Sequence, residues 1–157
     1  MTSDMLPPNG MGAPSPGPGR AGRKVILPFR VLAAEDHPTN QLVLKSILIQ
    51  AGIGAVIVDD GVAAVDAYEC ARWDLVLMDI QMPRMDGVSA TRAIRRYEAD
   101  LTLRRTPILA VTANVMEDQV RGYLEAGMDG VVAKPINVES LLEKISLYRP
   151  DPGQQII

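Results

Sequence analysis

Short apolar runs that do not alternate with polar residues constrain this chain more than any other feature. They are Arg30-Val31-Leu32-Ala33-Ala34, Ala55-Val56-Ile57-Val58, Leu75-Val76-Leu77-Met78, Pro107-Ile108-Leu109-Ala110-Val111 and Gly130-Val131-Val132-Ala133. A strand with one wet face alternates; a strand apolar throughout is covered on both faces, as in a parallel sheet flanked by helices. The segments between the runs carry helical spacing: Val43, Leu44, Ile47, Leu48 and Ala51 in one stripe, Gly87, Ala90, Thr91 and Ile94 in another. Val120, Tyr123, Leu124 and Gly127 form a third, and Val138, Leu141, Leu142 and Ile145 a fourth. The stretch from Gly61 to Arg72, with Val65 and Tyr68 inward, is the weakest. Gly52 and Gly127 stand where left-handed helix ends belong, and Asn114 with Glu117 has the spacing of a capping box opening the fourth helix.

Repeated strand-helix units joined by short right-handed crossovers predict an α/β fold, a doubly wound (βα)5 domain with a five-stranded parallel sheet in the order 2-1-3-4-5. In such a sheet, ligands bind beyond the carboxyl ends of the strands, at the switch point between the first and third. Glu35 and Asp36 follow the first run, Asp79 the third and Lys134 the last. Three carboxylates meeting at one edge can hold a divalent cation beside an ammonium, an arrangement suited to accepting phosphate.

Composition narrows the alternatives. A chain of 157 residues with 47% hydrophobic content supports one ordinary core. A net charge of -3 offers no basic footprint for nucleic acid, and the cluster Arg92, Arg95, Arg96, Arg104 and Arg105 reads as a solvated helix face and loop. The single cysteine, Cys70, excludes an internal disulfide and reads as a small packing residue. No stretch approaches the roughly 18 apolar residues that span a bilayer. A soluble, cytoplasmic and monomeric domain without membrane contact is the expectation. Residues 1–27, rich in Pro and Gly, read as a disordered linker or tail, residues 28–148 as the folded domain, and 149–157 as a short C-terminal tail with no room for a second domain.

Asp79-Ile80-Gln81-Met82-Pro83-Arg84-Met85-Asp86-Gly87, with Glu35-Asp36 before it and Thr112-Ala113-Asn114 and Lys134-Pro135 after it, resembles the receiver domain of two-component response regulators, most of all receivers of hybrid sensor histidine kinases. The resemblance spans about residues 28–148 and implies a flavodoxin-like fold. It implies that Asp79 is the phosphoacceptor, a carboxylate nucleophile toward phosphohistidine. It assigns Asp36 and Asp79 as direct ligands of Mg2+ or Mn2+, with the Gln81 backbone carbonyl, and Glu35 acting through a water. Lys134 would face the phosphoryl oxygens, Thr112 would give them a hydroxyl, and Ala113 would leave room for approach. Met82, Pro83, Met85 and Gly87 would shape the loop after the nucleophile, and Pro135 would follow a cis bond that aims Lys134. The implied partners are a histidine kinase or a histidine phosphotransfer protein.

Each residue also has a plainer role: an acidic pair capping a helix, a loop-capping Asp79, a surface Lys134 and a strand-end Thr112. Their joint placement at the ends of neighbouring strands favours the site. His37, the only histidine, lacks a phosphodonor context and is expected to face solvent near the ion site. Where many receivers have an aromatic residue three positions before the lysine, this chain has Val131, so a rotating ring there is not expected to report phosphorylation. Two rival functions are a receiver-like binding module that is never phosphorylated and an aspartyl-phosphate hydrolase. The hydrolase needs a second Asp two residues after the nucleophile, where this chain has Gln81. A flavin mononucleotide site is disfavoured by the carboxylates at Glu35 and Asp36.

Overall fold

The structure is a computed structural model that describes residues 28–150. The linker or tail expected over residues 1–27, and the last seven residues of the expected C-terminal tail, lie outside the described residues. Strands β1 (Arg30–Ala34), β2 (Gly54–Val58), β3 (Leu75–Asp79), β4 (Ile108–Thr112) and β5 (Gly130–Ala133) alternate with helices α1 (Pro38–Gln50), α2 (Gly61–Cys70), α3 (Gly87–Asp100), α4 (Glu117–Glu125) and α5 (Val138–Ser146). All strand pairs are parallel, in the order β2-β1-β3-β4-β5. This is the order expected from the sequence.

Because side chains alternate along a strand, each apolar run supplies both faces of the sheet at once. Val31, Ala33, Leu75, Leu77, Leu109, Val111 and Val132 pack against Leu44, Ile47 and Leu48 of α1 and Leu141 and Ile145 of α5. Leu32, Ala34, Val76, Met78, Ile108 and Ala110 pack against Ala64 and Tyr68 of α2, Ala90 and Ile94 of α3, and Tyr123 of α4. The expectation of strands covered on both faces holds for β1, β3 and β4, the interior of the sheet. It fails for β2 and β5, whose residues are largely half-buried, with Val56 43% exposed, because edge strands have a neighbour on one side alone.

Helix stripes differ from expectation at their margins. Val43, Leu124 and Val138 are exposed, since each flanks rather than centres the face turned to the sheet. Gly52 and Gly127 do take positive φ, +75° and +112°, just after α1 and α4. Asn114 does not form the expected capping box. The residue before α4 is Met116, with no side-chain cap, and Asn114 Oδ1 instead accepts from the Met116 amide at 3.2 Å, closing a turn one residue ahead of the helix. Cys70 ends α2 exposed to solvent rather than packed. Arg149, expected in the tail, lies over the Phe29 ring, 5.6 Å from its centroid.

Arg95 departs most from the reading of a solvated basic face. It is half-buried on α3, where it donates to Glu98 at 2.8 Å, Asp129 at 2.9 Å, and the carbonyls of Gly127 and Thr106 at 3.0 and 2.8 Å. Buried Glu98 accepts from the Tyr68 hydroxyl and from the Thr106 amide, and the Tyr68 hydroxyl also reaches Thr106 Oγ1 at 2.7 Å. Burial and the Glu98 carboxylate push the Tyr68 hydroxyl up to about 12, so it stays a donor. The network ties α2, α3, the entry to β4 and the entry to β5 at the sheet end opposite Asp79.

Candidate acidic site at the strand ends

Asp79 is the last residue of the central strand β3 and is 3% exposed. Glu35, just past β1, is 1% exposed, whereas Asp36 next to it is open to solvent. One carboxylate oxygen from each of Glu35, Asp36 and Asp79 lies within 4.8 Å of the others. Lys134, one residue past β5, crosses to them: its ammonium stands 3.0 Å from Asp79 Oδ2 and 3.1 Å from Glu35 Oε1. Residues distant in sequence meet here because the strands that deliver them are parallel and end at the same edge.

Three carboxylates against one ammonium leave the cleft with surplus negative charge. The consequence appears in the pKa values. Burial, helped by Glu35 and Asp36 and opposed by Lys134, raises the Asp79 carboxyl from 3.8 to about 6. For Lys134 burial acts downward, but the hydrogen bond and charge of Asp79, with those of Glu35, outweigh it and the net shift is upward. Among the described residues, buried Glu35 Oε1 has the Lys134 ammonium, 3.1 Å away, as its partner. Surplus negative charge and an all-oxygen donor set fit a hard divalent cation.

The surrounding chain holds these groups in place. Glu35 Oε2 accepts from the His37 amide at 3.1 Å, and Gln41 Nε2 binds the Glu35 carbonyl and Asp59, each at 2.6 Å. His37 faces solvent as expected, but it also caps α1, its Nδ1 accepting from the Thr39 amide at 3.2 Å. After Asp79 the chain turns back on itself, with the Gly87 amide donating to Ile80 O at 2.9 Å. A Cβ at Gly87 would collide with the Asp79 carbonyl oxygen, which is why glycine opens α3 here. Met82 and Met85 pack on the α2–α3 side of the core, while Gln81 and Pro83 are exposed. The Lys134–Pro135 peptide bond is cis. Thr112 ends β4, buried, and Ala113 follows it exposed, opposite the Lys134 amide, which donates to Thr112 O at 2.9 Å. Val131 is half-buried on β5, in the wall of an open groove between α4 and α5.

A sequence profile described as response regulator receiver domain matches residues 31–146. The chain belongs to this family. The receiver domain is 41% identical over 132 residues to the sensor protein GacS of Pseudomonas syringae, an alignment covering 80% of this chain and 15% of that protein. It spans 7 to 15% of the length of such curated relatives. Among solved structures it is similar to the receiver domain of a sensor histidine kinase from Pseudomonas aeruginosa, with a magnesium ion coordinated in the active site cleft (TM-score 0.70, 38% identity, 78% of this chain and 98% of that one). It is also similar to the co-crystal structure of the Saccharomyces cerevisiae phosphotransfer protein Ypd1 with the receiver domain of Ssk1 (TM-score 0.76, 28% identity, 85% and 95%).

Tyr123 is the polar group of this region that its sequence position hides. It sits in an apolar helix stripe, yet its hydroxyl lies 3.5 Å from Thr112 Oγ1 and donates to Asn114 O at 3.3 Å. No spacing rule connects a strand-end threonine to a residue on the next helix. Only a buried tyrosine's need for a hydrogen-bond partner hints at it.

Proposed function

We propose that this receiver domain accepts a phosphoryl group from phosphohistidine onto Asp79 and signals through altered protein contacts. The observation that carries the reading is Lys134 paired with both Asp79 and Glu35 beside a third carboxylate, Asp36. An Asp79 oxygen attacks phosphorus, the P–N bond breaks, and its electron pair goes to the imidazole nitrogen, which takes a proton from solvent. Asp79 then carries an acyl phosphate. Lys134 remains cationic at neutral pH and is placed to face the incoming oxygens once Asp79 turns from salt-bridge partner to nucleophile. Thr112 offers its hydroxyl at the neighbouring strand end, and exposed Ala113 leaves the approach clear.

Asp36, Asp79 and the Gln81 carbonyl are the ligands we assign to Mg2+ or Mn2+, with Glu35 acting through a water. The ion, when bound, neutralises charge between nucleophile and phosphoryl group. Glu35 holds the loop through His37 and Gln41, which fixes where Asp36 presents its carboxylate. The magnesium found in the Pseudomonas receiver cleft supports the choice of metal, and the Ypd1–Ssk1 complex supports a histidine phosphotransfer protein as partner, with a histidine kinase as the other donor. A cytoplasmic, monomeric domain spanning residues 28–148 completes the reading. Incubation with acetyl phosphate and Mg2+, followed by intact-mass measurement, tests it: the wild type gains one phosphate and Asp79→Asn gains none. Equal labelling of the two proteins would sink the assignment.

A further inference from the structure

Thr112 has one hydroxyl proton and two places to send it. Its oxygen accepts from the Asn114 amide at 3.0 Å and stands 3.5 Å from the Tyr123 hydroxyl, whose own proton goes to the Asn114 carbonyl at 3.3 Å. A hydroxyl donates once. With the Tyr123 proton committed to Asn114, the donor across the Thr112–Tyr123 contact is Thr112. Both residues are buried, 6% and 5% exposed, so a polar group that loses its partner here is not readily rescued by water. A phosphoryl group on Asp79 competes for the same Thr112 proton. If it wins, the Tyr123 oxygen loses its donor, and the available repair is for Tyr123 to turn its proton onto Thr112 and release the Asn114 carbonyl.

Asn114 is the residue on which such a release would be felt. Its side chain closes the turn into α4 by accepting from Met116, and that turn exposes Val115 and Met116. Val115, with Val120, Val131, Val132 and Lys144, lines a groove of about 340 Å³ between α4 and α5. The Val131 side chain has no polar atom and cannot take part in this exchange.

We propose that Tyr123 is the positioning residue that holds the Thr112 hydroxyl while Asp79 is free and passes its withdrawal to the Asn114–Met116 turn. The inference rests on Asp79 being the phosphoacceptor, and its test separates the two. Backbone amide NMR on the full chain, with Mg2+ and saturating beryllofluoride as the phosphoryl mimic, compares wild type with Tyr123→Phe, which keeps the ring and removes the hydroxyl. In the wild type, amides beside Asp79 and those of Asn114, Val115 and Met116 all shift. In Tyr123→Phe the Asp79 neighbours shift as before and the turn response drops by more than half. A full turn response in Tyr123→Phe overturns the relay while leaving the phosphoacceptor reading intact. No response beside Asp79 in either protein, with no phosphate gained from acetyl phosphate, removes both. The Tyr123 ring-carbon signals in labelled wild type give a check that does not depend on the variant folding: they must move on adding beryllofluoride, and a fixed Tyr123 spectrum refutes the relay.

Discussion

Burial sets the charge on Asp79 against the stability of the domain. In the metal-free protein its carboxyl titrates at about 6 against 3.8 ordinarily, so between those pH values the folded state binds more protons than the unfolded one. Stability from this group therefore falls as pH rises through that window and stays low above it. Asp79→Asn should accordingly raise the stability of the metal-free domain at pH 7, by on the order of 2 kcal/mol or several degrees in Tm, and flatten its dependence between about pH 4 and 6. Thermal melts in a chelating buffer across that range check both; a less stable Asn variant would contradict the burial argument. Adding Mg2+ should stabilise the wild type and do much less for Asp79→Asn. Lys134→Ala leaves Glu35 and Asp79 without their counter-charge, and acyl phosphate formation should slow by about 100-fold or more in an acetyl phosphate assay. The letters named Asp79, Glu35, Asp36 and Lys134 because each follows an apolar run; they could not name Tyr123, whose role depends on where a helix face lands.

Helix α3 joins the two ends of the domain. Its first residue, Gly87, lies against the Asp79 carbonyl, and its last turns carry Arg95 and Glu98 into the polar network at the other end of the sheet. Glu98→Ala leaves the Tyr68 hydroxyl, the Thr106 amide and Arg95 short of an acceptor, and should cost about 3 kcal/mol in urea unfolding. A loss below about 0.5 kcal/mol, the level of an ordinary surface change, would mean that the network contributes nothing to stability. A basic cluster in sequence reads as surface because arginine is mostly exposed. Arg95 is an exception whose partners, Glu98, Thr106, Gly127 and Asp129, come from three separate parts of the fold. Asn114 shows the same limit: its spacing to Glu117 satisfies a capping box, but the turn that forms uses the Met116 amide instead.

Across the whole domain, apolar runs of strand length, separated by amphipathic helices, required a parallel sheet with both faces covered. The low-hydrophobicity Pro/Gly composition of residues 1–27 predicts that a fragment of residues 28–150 keeps the Tm of the full chain within about 2 °C and still takes up phosphate, a domain boundary that melting and intact mass would check. A fall well beyond that would mean the domain extends further. Sheet order, and with it the edge where Glu35, Asp36, Asp79 and Lys134 meet, was determined by the sequence alone, because chain connectivity and handedness permit few ways to wind such units. Which side chains share a proton and which arginine is buried were decided only by the tertiary structure. Those outcomes depend on distances between groups that no local pattern relates.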